Sequence, residues 1–322
     1  MSMDADPHQL TEKLFIHHPR MRQAQRMMER CRTWSQGAQE PYCLLVIGPT
    51  GVGKTTLIKD YLKNNPRIDT DVATTIPVLD AIIPAPASMK GMAVELLTKL
   101  GDPMAQRGTL NQQTWRLRKL LQACGVQLIV LDEFNHFIDR DNERVLRTVA
   151  DWLKVLIDTT GIPVVLVGTP NSRSVLDANE QLRRRFGTQE RLEPFRWEGD
   201  GRDHFRRFLK EVDERLPLPE RSDLDGPDMA FRFFCASAGT IAPVMKIVRK
   251  AAHLALDAGM ARLELPLLAR AFAEDPGDPD GPNPFVGALP GKVVAPSAPP
   301  QPAVSKRLKG KGGNEMPSFA AS

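Results

Sequence analysis

The residues Gly48-Pro49-Thr50-Gly51-Val52-Gly53-Lys54-Thr55 have the types and the spacing to hold a triphosphate. The glycines let the backbone turn its N–H groups toward an anion with no Cβ in the way. Lys54 can reach the outer phosphates, and the hydroxyl of Thr55, with Thr56 behind it, can ligate Mg²⁺. A second group with chemical capacity is the pair Asp132-Glu133. Beside a bound triphosphate, Asp132 would hold Mg²⁺, mainly through its water shell, and Glu133 would polarise the attacking water. Thr169 and Asn171 are polar groups able to sense an outer phosphate or orient that water. Arg183, Arg184 and Arg185 could reach a nucleotide held by a neighbouring subunit and stabilise transition-state charge.

The elements that must carry these residues are legible around them. The glycine-rich loop follows the apolar run Cys43–Ile47 and leads into the helical segment Leu57–Leu62. Strand, loop and helix are the context that confirms a phosphate-binding P-loop. Val126–Leu131 is nearly all apolar, as a strand buried on both faces must be, and it delivers Asp132 and Glu133 at its end. Val164–Val167 is a second such strand, ending in Gly168-Thr169-Pro170-Asn171. In parallel sheets, ligands sit at that edge. The pattern predicts an α/β protein with a parallel P-loop sheet sandwiched by helices, and a nucleoside triphosphate with Mg²⁺ as its ligands.

Further strands are expected at Ala73–Leu79 and Gln189–Leu192. Helices are expected at Met89–Leu100, Gln113–Cys124, Asn142–Asp158 and Ser172–Phe186. On Gln113–Cys124, Trp115, Leu117, Leu120 and Leu121 read as the apolar side, with Arg116, Arg118 and Lys119 outward. From Gly201 onward the pattern is helix after helix, predicting a small all-α domain. The expected organisation is a helical lead-in over 1–40, a nucleotide-binding α/β domain over 41–198, an α-helical lid over 199–275 and a disordered tail over 276–322. The tail has ten Pro and seven Gly among its 47 residues, a low-complexity level, and a basic end at Lys306, Arg307, Lys309 and Lys311. The lead-in reads as a solvated helix lying on the core, or else as a segment beside the nucleotide base.

At 322 residues and 42% hydrophobic content, the chain is long enough for about two domains with a sizeable core. A net charge of +4 permits a polyanionic partner without demanding one. Cys31, Cys43, Cys124 and Cys235 form no C-x-x-C pair, which argues against zinc and suits a reducing compartment. With no signal-peptide core and no bilayer-length apolar run, the expectation is a cytoplasmic protein with no membrane partner.

These parts in this order resemble the AAA+ ATPases. More closely, the chain resembles the TniB/TnsC family of transposition regulators, relatives of the phage Mu B protein. The likeness covers roughly Leu14 to Glu274. It rests on GPTGVGKTTL (Gly48–Leu57), LIVLDEFNHF (Leu128–Phe137), VVLVGTPN (Val164–Asn171) and QLRRRF (Gln181–Phe186). It also rests on Pro194–Leu224, with its FRRFLKEVDERLPLPERSDL run, and on Ala238-Gly239-Thr240 entering a lid helix.

The resemblance implies an ATPase that binds ATP and Mg²⁺ and polymerises on double-stranded DNA as a ring or helical filament. It would recruit a DDE transposase and a TniQ-type adaptor and be released by hydrolysis. It carries Lys54 and Thr55 over as P-loop ligands, Asp132 and Glu133 as the Walker B pair and Thr169 as sensor 1, where many AAA+ proteins have Asn. Arg185, directly before Phe186, carries over as the trans-acting finger, with Arg184 in reserve. The lid helix has no Arg in its first turn, so either Lys246 serves as sensor 2 or the role is absent. His17, His18 and Arg20 fall where relatives approach the base. Lys90, Lys99, Arg107, Arg116 and Arg118 fall near the loops that face DNA in such assemblies. Two other readings stay open: a helicase loader of the DnaC/IstB type, and an ATP-gated adaptor that binds no DNA.

Overall fold

The structure, a computed structural model, describes residues 6–85, 87–137, 143–177, 179–276 and 281–291. The chain starts with helices α1 (Pro7–Glu12) and α2 (Pro19–Trp34), each with proline in its first turn, where a missing N–H costs nothing. Strand β1 (Leu44–Ile47) is buried on both faces and runs through the P-loop into α3 (Lys54–Lys63). A short hairpin, β2 (Ile68–Asp69) and β3 (Thr74–Thr75), precedes strand β4 (Val78–Ile82). The single strand expected at Ala73–Leu79 is thus two elements. Pro77 has no N–H for the ladder, and its carbonyl accepts from Gln127 N at 2.9 Å.

Helices α4 (Met89–Leu100) and α5 (Leu110–Ala123) follow. Helix α5 starts three residues earlier than its apolar period suggests, because Thr109 and Gln112 form a capping box. Strand β5 (Leu128–Asp132), a 3₁₀ turn at Phe134–Phe137 and α6 (Glu143–Thr160) come next. The expected helix start at Asn142 lies outside the described residues. Strand β6 (Val164–Gly168) leads into a 3₁₀ turn at Pro170–Ser172, then α7 (Arg173–Asp177) and α8 (Glu180–Arg185). The one helix expected over Ser172–Phe186 is two, because Asn179 caps a new start by accepting from Leu182 N at 3.0 Å. Strand β7 (Thr188–Arg191) completes the sheet. Helices α9 (Asp200–Asp213), α10 (Pro227–Ser237), α11 (Ile241–Asp257) and α12 (Leu265–Ala273) form the C-terminal helical region.

The main sheet is parallel, in the order β4-β5-β6-β1-β7. Helices α4 to α8 cover one face, where Leu96, Leu117, Leu153 and Phe186 are buried. Helices α2 and α3 cover the other, burying Met21, Met28 and Leu57. The C-terminal helices have their own core around Phe205, Phe233 and Val248. Leu14 and Ile16, from the N-terminus, belong to that core as well. The lead-in is therefore shared: its first turn of helix packs on the lid and its second on the sheet.

Ordered structure extends past the boundary expected at 275. Phe285 is buried between Phe233 and Phe272, and Arg232 donates to the carbonyls of Pro284 at 2.6 Å and Gly287 at 2.9 Å. The basic end of the tail lies outside the described residues. Among the described residues no single helix is long and apolar enough to cross a membrane.

Candidate functional site

The P-loop packs Lys54 inward. Its side chain donates from Nζ to the carbonyls of Gly48 at 2.8 Å and Pro49 at 2.9 Å. Burial pulls its pKa down, while Glu133 and Asp132 pull the other way. An ammonium bonded only to neutral carbonyls, at the N-terminus of α3, is set to receive an anion.

Thr55 Oγ1 donates to Asp132 Oδ2 at 2.9 Å, joining the P-loop to the end of β5. Burial pushes the Asp132 carboxyl up, against bonds from Glu133 N at 2.8 Å and from Thr55. Glu133 has φ +55°, a left-handed conformation costing about 1–2 kcal/mol in a non-glycine residue. Strain of this kind at the end of a central strand aims its side chain into the cleft. Strand β6 lies between β1 and β5, so Thr169 emerges between the P-loop and the acidic pair. Its N–H donates to Asn135 Oδ1 at 3.3 Å, and both residues line the cleft.

The cleft has a volume of about 690 Å³. Its floor includes Thr50, Gly51, Gly53, Lys54, Thr55 and Thr56. Its roof is α11, whose first turn is fixed to the P-loop by a bond from Ala242 N to the Gly51 carbonyl at 2.9 Å. Lys246 and Arg249 face the cleft from that helix. Lys246 pairs with Asp275, and Arg249 donates to the Leu14 carbonyl at 2.9 Å. Its wall is the N-terminal segment: Leu14, Phe15, Ile16 and His18. His18 is 4% exposed, lies edge-on to Phe195, and its Nε2 is buried with no partner among the described residues. Burial above all, with Arg20 and His17 adding to it, lowers its pKa to about 4, so the ring is neutral at pH 7.

These residues fit a nucleotide. An orphaned imidazole nitrogen in a partly apolar wall suits a base, and the P-loop suits the phosphates. They also fit Mg²⁺ held jointly with phosphates and water, with Thr55 and Asp132 as the oxygen donors. Among the described residues no group of three or more His, Cys, Asp or Glu could hold a metal alone. Of the candidates near the base, only His18 lines the cleft. His17 bonds Asp60 at 2.7 Å on α3, and Arg20 pairs with Glu193 at 3.3 Å.

The remaining expected residues are scattered. Arg185 is 13% exposed and pairs with Asp158 at 2.7 Å, while Arg184 is 75% exposed and, among the described residues, pairs only with Glu180 of its own helix. Arg183 is exposed. Lys90 is exposed, and Lys99 lies 3.9 Å from Asp80. Arg107 is exposed, but Arg116 turns inward, bonding Asp102 at 3.0 Å and the carbonyls of Met104 and Arg107. Arg118 is half-buried, with its Nε unpartnered. Asn135 and the wall from Leu14 to Ile16 were not anticipated. Asn135 had a signal in the motif itself, three residues after Asp132; the wall had none, since only folding brings it over α3.

A parallel sheet in this order, with a P-loop after β1, an acidic pair after β5 and a helical roof, defines a protein of the AAA+ ATPase fold. The family model described as "Bacterial TniB protein" matches residues 8–198, and the chain belongs to that family. Solved structures of similar fold include CDC6P from Pyrobaculum aerophilum, at 16% identity and a TM-score of 0.61, covering 84% of this chain and 71% of that one. The Aeropyrum pernix ORC2 protein, in ADPNP–ADP complexes, is similar at 15% identity and a TM-score of 0.59, over 83% of this chain and 71% of that one. The Aeropyrum pernix ORC1 protein in complex with DNA is similar at 16% identity and a TM-score of 0.58, over 83% and 69%. Identities this low speak for the fold alone. No curated protein matches.

Proposed function

We propose that this chain is an ATP-dependent, DNA-binding regulator of transposition, and that ATP hydrolysis releases it from duplex DNA. The observation that supports this most directly is the bond from Thr55 to Asp132 beside Lys54 and Glu133, in a chain of the TniB family. Residues 41–198 serve as the nucleotide-binding domain, the helices from 199 with the docked segment around Phe285 serve as its lid, and the protein works in the cytoplasm. Lys54 holds the outer phosphates. Thr55 and Asp132 hold the Mg²⁺ site; bound there, the ion supplies charge neutralisation for the phosphates. Glu133 takes the proton of the attacking water, and Thr169, steadied by Asn135, orients that water. His18 accommodates the base.

A neighbouring copy completes the site with an arginine from the end of α8. Arg185 is committed to Asp158, so Arg184, free to leave an exposed pairing with Glu180, is the better finger. Assembly on duplex DNA then depends on ATP, and a DDE transposase and a TniQ-type adaptor read the assembled form. Electron microscopy with ATP and duplex DNA tests this. Filaments or rings should form with the wild type, fail with Lys54→Ala, and persist with Glu133→Gln. Monomers under all three conditions would refute it, and a preference for single strands would favour a helicase loader.

A further inference from the structure

The face of α5 was expected to bury Trp115 and to expose its basic residues. The structure reverses this at two positions. Trp115 is 61% exposed, and Arg116 is drawn in. An exposed tryptophan in the middle of a helix loses apolar burial that its neighbours Leu117 and Leu121 obtain in full. Its own stretch of sequence is cationic. From Pro103 to Leu131 the chain carries Arg107, Arg116, Arg118 and Lys119 and no carboxylate. The adjacent Asp102 is neutralised by Arg116 at 3.0 Å. Lys119 Nζ lies 6.0 Å from the centre of the Trp115 ring. Asn111, Trp115, Lys119 and Gln122 are all exposed, and helical spacing places them on one side.

The surface is also built rather than loose. A concavity of about 520 Å³ is framed by Arg107, Gly108, Asn111, Gln112, Trp115 and Arg116. Arg116 fixes the loop below it through the carbonyls of Met104 and Arg107, at 2.7 Å and 2.9 Å. The capping box of Thr109 and Gln112 fixes the start of the helix. Arg116 is thereby a positioning residue, and Arg107 and Lys119 keep their charges for a partner.

We propose that this concave end of α5 is a contact for duplex DNA, in which Arg107 and Lys119 engage backbone phosphates and Trp115 packs on the sugar edge between them. The inference rests on the DNA-binding reading above and adds to it the residues and the mode. Cations fix position on a backbone without reading sequence. An apolar ring between them adds an attraction that salt does not screen, whereas each phosphate contact steepens the salt dependence. Charge complementarity is what selects DNA as the occupant: 29 successive residues without a carboxylate suit a polyanion.

Fluorescence anisotropy of the full chain with ATP and a labelled 30-bp duplex, from about 50 to 200 mM salt, tests this. Arg107→Ala with Lys119→Ala should flatten the slope of log K against log salt by about 1.8. Trp115→Ala should weaken binding roughly tenfold with the slope unchanged, and Trp115→Phe should recover most of the loss. These side chains are exposed, so the thermal midpoint and ATP affinity should stay at wild-type values. If the wild type binds duplex and both variants match it in slope and affinity, the contact is refuted and the DNA reading survives. If the wild type binds no duplex at any salt, the DNA reading itself fails. If single strands bind more tightly than duplex and lose more through Trp115→Ala, the ring serves base stacking and the duplex mode is wrong.

Discussion

At the scale of single residues, the site separates groups that handle phosphate from groups that hold the fold. Lys54 spends its donors on two loop carbonyls and can exchange them for phosphate oxygens with little rearrangement. Charged hydrogen bonds contribute about 1.5–3 kcal/mol, so Lys54→Ala should weaken ATP binding roughly 10- to 100-fold by calorimetric titration. The two exposed or half-buried arginines should behave differently from one another. Arg184→Ala should leave the unfolding midpoint unchanged and lower ATP turnover of the assembled protein. Arg185→Ala should lower the midpoint, because it leaves Asp158 without its 2.7 Å partner. His18 gives a pH dependence whose sign is fixed. Its pKa is about 4 when folded against an ordinary 6.5, so the unfolded chain binds more protons between those values. Stability from this residue is unaffected above pH 6.5 and falls as pH drops toward 4, by up to about 3 kcal/mol. Urea titrations at pH 7 and pH 5 should show about 2 kcal/mol of this loss in the wild type and less in His18→Phe.

At the scale of elements, the parts written in contiguous sequence were legible and the parts made by folding were not. Strands β1, β5 and β6 are unbroken apolar runs, and the segments that follow them line one cleft, so element and candidate site could be read together. Helix α5 could be read as a helix but not oriented correctly: Trp115 is as apolar as Leu117, but the buried stripe Gln113, Leu117 and Leu121 fixes the rotation and leaves the indole on the far side. The docking of residues 281–291 was hidden by their proline and glycine content, since one phenylalanine decides it. Nothing local places α1 on the lid or His18 in the cleft. These depend on contacts across more than 170 residues, such as Arg215 to the Phe15 carbonyl at 2.7 Å. The junction of sheet and lid rests on Gly239, at φ +74°, whose N–H and carbonyl lie against Ser237 and Phe195. A Cβ there would come within 2.1 Å of the Phe195 carbonyl oxygen. Gly239→Ala should cost more than about 2 kcal/mol by chemical denaturation, from left-handed strain, a lost bond to Phe195 and the overlap. Gly259→Ala is the control: at φ +64° with open space around it, only the strain of about 1–2 kcal/mol applies.

At the scale of the whole molecule, two segments that flank the sheet and the helices in sequence, Leu14–Ile16 and the stretch around Phe285, clasp the same helical region. The N-terminal clasp adds Leu14 and Ile16 to its core, and the C-terminal one adds Phe285. The region also roofs the cleft through the bond from Ala242 to Gly51, so loosening it should weaken nucleotide binding. The C-terminal clasp can be removed cleanly. A chain ending at Pro276 would leave a void where the Phe285 ring packs and would strand two N–H groups of Arg232, which is 8% exposed and cannot shed its charge. Emptying a core position of that size costs about 3–5 kcal/mol, and unpaired buried donors add to it. Such a chain should unfold about 10 °C lower than the full chain by calorimetry. A chain ending at Gly291 keeps both contacts and should unfold well above the one ending at Pro276. Phe285→Ala in the full chain should reproduce most of the loss, which separates the ring's packing from any effect of shortening. Addition of ATP should raise all three midpoints, but the rise should be smallest for the chain ending at Pro276, because a loosened roof holds the P-loop less firmly. An equal rise in every chain would mean that the roof contributes nothing to the nucleotide, and that the coupling through Ala242 is absent.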